Sequence, residues 1–123
     1  MAGRKVLIVD DSRTVRREVS EALTQAGFTV VEAADGEEGY ASFKANQDLA
    51  LAVLDVNMPR LNGLDLLDRL KADPSTAAVP VLVMTTEVDP ALIERAKRSG
   101  AKGWLIKPVK LPHLVSAVSK LVK

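Results

Sequence analysis

The segment Val6-Leu7-Ile8-Val9-Asp10-Asp11 decides the fold. An unbroken apolar run of this length, ended by charge, reads as a strand buried on both faces, as in a parallel sheet covered by helices. The pattern recurs where Leu51-Ala52-Val53-Leu54 meets Asp55, and again where Trp104-Leu105-Ile106 meets Lys107. In open α/β sheets the carboxyl ends of the strands frame the crevice where ligands bind. Residues as far apart as Asp10 and Lys107 are therefore expected to converge on one site holding Asp10, Asp11, Asp55 and one ammonium. Carboxylates packed together raise one another's pKa unless something positive neutralises them. A hard divalent cation with oxygen ligands answers that need, and Lys107 adds the remaining positive charge. Such a site suits phosphate chemistry.

Outward from these runs, short apolar segments alternate with helical spacing. Strand 4–9 precedes a helix from about Arg13, with Val15, Val19, Ala22, Leu23 and Ala26 on one face and Gly27 as its C′ stop. Strand 28–32 leads to Asp35 and Glu38, which have capping-box spacing, and a helix that runs to about Asn46. Strand 50–54 ends at Asp55, and Pro59 and Gly63 punctuate the loop before a helix holding Leu64, Leu67 and Leu70. Strand 80–84 is followed by Asp89-Pro90, an N-cap with proline at N1, and Gly100 closes that helix. Strand 103–106 precedes a last amphipathic helix with Leu114, Val118, Leu121 and Val122 facing inward. The alternation predicts an α/β fold: a five-stranded parallel sheet, doubly wound, with five helices on its two faces. Crossovers are expected to be right-handed and the strand order 2-1-3-4-5.

Composition narrows the class. At 123 residues, with 47% hydrophobic and 27% charged residues, the chain suits one globular domain. No linker, repeat or low-complexity segment interrupts it. The absence of cysteine excludes disulfides, thiolate metal sites and thiol catalysis. No apolar segment is long enough for a membrane span, and Met1-Ala2-Gly3-Arg4-Lys5 has no signal-peptide anatomy, so a cytoplasmic protein is expected. The net charge of +1 hides an asymmetry: residues 1–94 carry 9 basic and 16 acidic side chains, whereas residues 95–123 carry 8 basic and no acidic ones. Such a run is either a solvated surface or a docking face for an acidic partner.

Several chemistries are disfavoured. There is no Gly-x-x-x-x-Gly-Lys-[Ser/Thr], and no Gly-x-Gly-x-x-Gly follows the first strand. The acidic turn Asp10-Asp11-Ser12 would repel a nucleotide's phosphates. The one histidine, His113, falls near the start of the last helix without a partner histidine or cysteine, which reads as a surface residue. What remains is Asp10, Asp11, Asp55, Thr85 and Lys107. Each alone has an ordinary explanation, as a helix cap or a turn residue. Jointly they put polar chemistry at the ends of four strands.

With these residues in place, the chain resembles the receiver domains of two-component response regulators over its whole length, and is most similar to the stand-alone chemotaxis type. The matching stretches are Val9-Asp10-Asp11-Ser12, Leu54-Asp55-Val56-Asn57-Met58-Pro59, Gly63, Met84-Thr85-Thr86-Glu87, Gly100-Ala101 and Lys107-Pro108, in order and suitably spaced. The resemblance implies a flavodoxin-like fold and a single receiver domain over residues 1–123 with no output domain. Its output would come from its own surface. Asp55 would accept a phosphoryl group from the phosphohistidine of a sensor histidine kinase, acting as the nucleophile of an in-line displacement. Mg²⁺ would be held by Asp11, Asp55 and the backbone carbonyl of Asn57, with Asp10 acting through water. Lys107 would pair with one phosphoryl oxygen and Thr85 would hydrogen-bond another. Such a receiver is not an enzyme but a phosphorylated switch.

The resemblance carries further expectations. The Lys107–Pro108 peptide is expected to be cis. Drawing Thr85 toward the phosphoryl group vacates space for an aromatic residue to turn inward; here that residue is Trp104, in place of the usual tyrosine or phenylalanine. Asn57 and Glu87 leave room for an attacking water, which predicts a short-lived phosphoryl group. Val56 stands where the best-known chemotaxis homologue has tryptophan. Lys110 occupies a position where a capping side chain is expected.

Competing classes are a phosphotransfer enzyme of the haloacid-dehalogenase type and a degenerate receiver. The former wants a second aspartate two residues after its nucleophile, on the first strand, where this chain has Asn57 after Asp55 on the third. The latter would lack site residues that are all present. The favoured reading is a phosphorylation switch in chemotaxis or motility control, with phosphorelay or another single-domain receiver role as the alternative. The expected docking surface is the fourth helix, fifth strand and fifth helix. There Lys97, Arg98, Lys102, Lys110 and Lys120 suit an acidic protein or peptide. DNA is the weaker alternative, because no helix-turn-helix is present. No membrane contact is expected, and the domain is expected to be a monomer.

Overall fold

The computed structural model describes residues 4–58, 62–86 and 89–122. Its elements, in chain order, are β1 (Arg4–Val9), α1 (Arg13–Gln25), β2 (Phe28–Ala33), α2 (Gly36–Ala45) and β3 (Leu49–Asp55), then α3 (Gly63–Ala72), β4 (Val81–Thr85), α4 (Pro90–Arg98), β5 (Gly103–Ile106) and α5 (Leu111–Leu121). The strands form one parallel sheet, as the alternation predicted, in the expected order β2-β1-β3-β4-β5.

The strand period of two splits the core between the two faces of the sheet. Leu7 and Val9 of β1 join Leu54, Val83 and the leucines of α3 in one cluster, which also takes Phe43 of α2 and Ala96 of α4. Val6 and Ile8 join Val53, Met84, Val19 and Leu23 of α1, and Leu114 and Val118 of α5 in the other. Leucine and valine dominate both clusters, and each fully buried leucine contributes about 1.5–3 kcal/mol of hydrophobic transfer.

The helix signals resolve into specific contacts. Ser12 accepts from Val15 N at 3.2 Å, and Asn62 accepts from Leu64 N and Asp65 N at 3.0 and 2.9 Å. Asp89 caps α4 with Pro90 at its first position. Gly27 and Gly100, both at φ +99°, adopt the left-handed conformation that follows a helix end. Asp35 caps α2 as expected, but Glu38 reaches back to Ala34 N rather than to the N-cap's own amide. Lys110 provides no side-chain cap for α5.

One expectation is corrected. The run Trp104-Leu105-Ile106 is not buried on both faces, because β5 is an edge strand. Trp104 and Leu105 are half-buried and Ile106 is 38% exposed. An apolar run reports strand character but not position within the sheet. Pro59 and Glu87 lie outside the described residues.

Candidate functional site

The strand order makes the site. β1, β3, β4 and β5 are consecutive in the sheet, so their carboxyl ends bring Asp10, Asp55, Thr85 and Lys107 to one edge. Asp10 is fully buried, Asp55 is 1% exposed, Thr85 is buried and Asp11 is exposed. Carboxylate oxygens of Asp10, Asp11 and Asp55 lie within 4.8 Å of one another. Lys107 Nζ stands 3.1 Å from Asp10 Oδ2 and 3.1 Å from Asp55 Oδ1. All five residues singled out from the sequence therefore lie together at this edge.

Local structure holds each group. Asp10 Oδ1 accepts from Ser12 N at 2.8 Å, and the Arg16 guanidinium of α1 donates to the Asp10 carbonyl at 2.6 Å. Asp55 Oδ1 accepts from Asn57 N at 3.0 Å. Gly63 opens α3 directly against the backbone of Asp55; a Cβ there would stand 2.8 Å from the Asp55 carbonyl carbon and 3.0 Å from Val56 Cα. Close approach of backbone to backbone, rather than an unusual φ, explains this glycine. Lys107 N donates to the Thr85 carbonyl at 2.8 Å, and the Lys107–Pro108 peptide is cis.

The electrostatics are unbalanced in a telling way. Burial, and then the neighbouring Asp10 charge, raise the Asp55 pKa, outweighing the Asn57 N–H and Lys107. Burial pulls the Lys107 ammonium down, but its hydrogen bonds to Asp55 and Asp10 and their charges more than reverse this, and it ends raised. Lys107 has two buried carboxylates to itself, whereas each carboxylate has only a share of one ammonium. Asp55 Oδ2 is buried with no hydrogen-bond partner among the described residues. An orphaned buried carboxylate oxygen beside two further carboxylates, with no nitrogen or sulfur donor in the cluster, fits a hard, oxygen-loving divalent cation such as Mg²⁺.

Some features escaped the sequence. The Asn57 side-chain carbonyl accepts from Thr86 N at 3.0 Å and from Thr86 Oγ1 at 3.2 Å. A cavity of about 320 Å³, lined by Val15, Met84, Pro108, Val109 and Leu111, adjoins Lys107 and Thr86. On the β5 side the Lys97 ammonium lies 4.9 Å from the centroid of the Trp104 ring. Arg95, part of the basic final quarter, is engaged by Asp65 at 2.9 Å and Asp68 at 3.1 Å on α3. These pairings join residues far apart in sequence, and no periodicity announces them. His113 is exposed, as the sequence suggested.

The fold and this edge define a class: the chain belongs to the response regulator receiver domain family, whose pattern matches residues 6–119. It is a two-component response regulator domain. Among its relatives, it is 37% identical over 105 residues to the chemotaxis protein CheY1 of Helicobacter pylori, covering 85% of each chain. It is also 37% identical over 115 residues to a probable chemotaxis protein CheY of Rhizobium etli, covering 93% of this chain and 88% of that one. The crystal structure of Vibrio cholerae CheY4 superposes with a TM-score of 0.91 at 35% identity, covering 98% of this chain and 99% of that one. The CheX–CheY–beryllofluoride–Mg²⁺ complex of Borrelia burgdorferi matches with a TM-score of 0.88 at 27% identity, covering 97% of this chain and 90% of that one.

Proposed function

We propose that this chain is a phosphorylation-controlled switch in chemotaxis or motility control, with Asp55 as its phosphoacceptor. The observation that carries this reading is Asp55 itself: 1% exposed, 3.1 Å from Lys107, with its second oxygen unpartnered and two more carboxylates alongside. An Asp55 oxygen attacks phosphorus of a phosphohistidine on a sensor kinase. The P–N bond breaks, and the imidazole leaves with the electron pair and takes up a proton. Asp11, Asp55 and the Asn57 backbone carbonyl are the proposed Mg²⁺ ligands, with Asp10 acting through water. When bound there, the cation neutralises the carboxylates and the incoming phosphoryl oxygens. Lys107 pairs with one phosphoryl oxygen and the Thr85 hydroxyl hydrogen-bonds another.

The phosphoryl group brings about −1.5 to −2 of charge to the sheet edge. Output is proposed on the α4-β5-α5 face, where Arg98, Lys102, Lys110 and Lys120 are exposed, Lys97 covers Trp104, and Ile106 adds an apolar patch. An acidic peptide or helix is the complementary partner. In this reading the chain is itself modified and turns over no separate substrate, and it acts as a single, monomeric, cytoplasmic receiver domain. No described helix is long and apolar enough to cross a membrane. The relatives' names support the chemotaxis assignment, and the Borrelia complex holds beryllofluoride and Mg²⁺.

The test is incubation with acetyl phosphate and Mg²⁺, followed by intact-protein mass spectrometry. One added phosphoryl group, mapped to Asp55 and absent from Asp55→Asn, is expected. An unmodified wild type would overturn the proposal.

A further inference from the structure

We infer that Thr86 and Asn57 form a clasp across the mouth of the phosphoryl site, and that this clasp prolongs the life of the aspartyl-phosphate. The inference rests on the reading of Asp55 as phosphoacceptor. Asn57 follows β3 by two residues, and its backbone amide already donates to Asp55 Oδ1 at 3.0 Å. Its side-chain oxygen reaches across to the end of β4, where Thr86 supplies both its amide at 3.0 Å and its hydroxyl at 3.2 Å. Asn57 and Thr86 are both exposed, so the pairing is not a by-product of core packing. It joins the loop after Asp55 to the residue that follows Thr85.

The consequence follows from counting lone pairs. An amide oxygen accepts through two lone pairs, and in the clasp both are taken. What Asn57 has left is its NH₂, which only donates. Hydrolysis of the aspartyl-phosphate forms a bond between a water oxygen and phosphorus. The acyl O–P bond breaks, its electron pair returns to the Asp55 carboxylate, and the water's proton ends on the released phosphate. That water must aim a lone pair at phosphorus, so a helpful neighbour accepts its hydrogens. A neighbour that donates competes for the lone pair. The clasped Asn57 is thus the wrong partner for the attacking water, and the released Asn57, with its oxygen free, is the right one. Thr86 is a positioning residue acting through Asn57.

The experiment compares wild type with Thr86→Ser, which keeps both donors, and Thr86→Val, which keeps the shape but loses the hydroxyl. Each protein is phosphorylated with acetyl phosphate and Mg²⁺, freed of donor, and followed by phosphate release. Loss of one neutral hydrogen bond predicts about twofold to tenfold faster hydrolysis in Thr86→Val, with Thr86→Ser near wild type. The acceleration should vanish in an Asn57→Ala background, because the clasp has no second member there. A readout without metal or phosphate accompanies this: the Asn57 side-chain amide resonances and Thr86 amide exchange in the Mg²⁺-free protein, which should change in Thr86→Val and not in Thr86→Ser. Equal or slower hydrolysis in Thr86→Val, or an acceleration that persists without the Asn57 amide, overturns the clasp. Failure of all variants and wild type to gain a phosphoryl group overturns the phosphoacceptor reading instead.

Discussion

Removing the Asp55 charge should make the Mg²⁺-free protein more stable. In Asp55→Asn the amide oxygen can still accept from Asn57 N and Lys107, as Asp55 Oδ1 does at 3.0 and 3.1 Å. The amide NH₂ replaces Oδ2, a buried oxygen with no partner among the described residues, and offers a donor to the neighbouring carboxylates. A buried unsatisfied polar group costs about 1–3 kcal/mol. With an unfolding entropy of about 2.1 cal/mol/K per residue over 123 residues, each kcal/mol shifts Tm by about 4 °C. The expected gain is therefore about 4–12 °C by calorimetry in excess chelator at neutral pH.

The pH dependence has a definite sign. The Asp55 pKa is raised in the folded state, chiefly by burial and then by Asp10. A carboxyl of this kind contributes stability below its unfolded pKa of about 3.9 and loses it as pH rises through the folded value. The advantage of Asp55→Asn should accordingly shrink as pH is lowered toward about 4. Mg²⁺ should narrow that advantage, and reverse it where the advantage is at its lower end. At a hundredfold over Kd, binding adds about 2.7 kcal/mol to wild type, or about 10 °C, and less to the variant. A Tm for Asp55→Asn equal to or below wild type without divalent ions would refute the claim that this carboxylate is held at a cost.

Gly63→Ala should destabilise by about 1–3 kcal/mol or more and weaken Mg²⁺ binding, because the new methyl meets the Asp55 backbone; wild-type behaviour in a Mg²⁺ titration would count against that close approach. Asp73 accepts from Lys44, Ser75 and Tyr40, which in that order hold its carboxyl well below the usual range. Asp73→Ala should lower Tm at neutral pH, and the deficit should fade as pH drops below the unfolded value and through the folded one; a constant deficit would show that charge is not the cause. Lys110→Asp should stabilise α5 by about 1 kcal/mol, since Lys110 is an N-cap in extended conformation without a capping bond, and chemical denaturation should show a raised midpoint. Lys102→Glu with Lys110→Glu should weaken capture of an acidic target and flatten its salt dependence, and unchanged binding would remove the basic face from the account.

The fold was legible because its strands and helices announce themselves differently. Val6–Val9 and Leu51–Leu54 are buried on both sides and read as unbroken apolar runs, while α1 repeats its apolar residues at helical spacing. Asp35, Asp89, Gly27 and Gly100 mark ends that the structure keeps. The gathering of the site residues was also legible, since a parallel sheet places every strand's carboxyl end at one edge. Their roles in phosphoryl transfer rest on resemblance and are proposed. What stayed hidden was set by contacts between elements. Nothing in the run Trp104-Leu105-Ile106 distinguishes an edge strand from a central one, and burial there depends on whether another strand follows. The asymmetry of charge was visible, but not that Arg95 pairs with α3 or that Lys97 lies over Trp104. Asn57 and Thr86 could be picked out as neighbours of the site, yet their pairing exists only because β3 and β4 are adjacent.

That adjacency bears on how a change at Asp55 can reach the opposite face of β5. Thr85 pairs in register with Ile106, and Val83 with Trp104. Between Thr85 and the indole lies a cavity of about 10 Å³, bounded by Val56, Leu64, Val83, Leu92, Ile93 and Ala96 as well. That is about what one water needs to be seated, and far less than an aromatic ring. An inward turn of Trp104 would therefore need room made by Thr85 and by α4, which contributes Leu92, Ile93 and Ala96 to that wall. Lys97 belongs to the same helix and covers the Trp104 ring, so such a motion of α4 would carry that cover with it. Access to the indole is thus tied to the helix rather than to the ring alone.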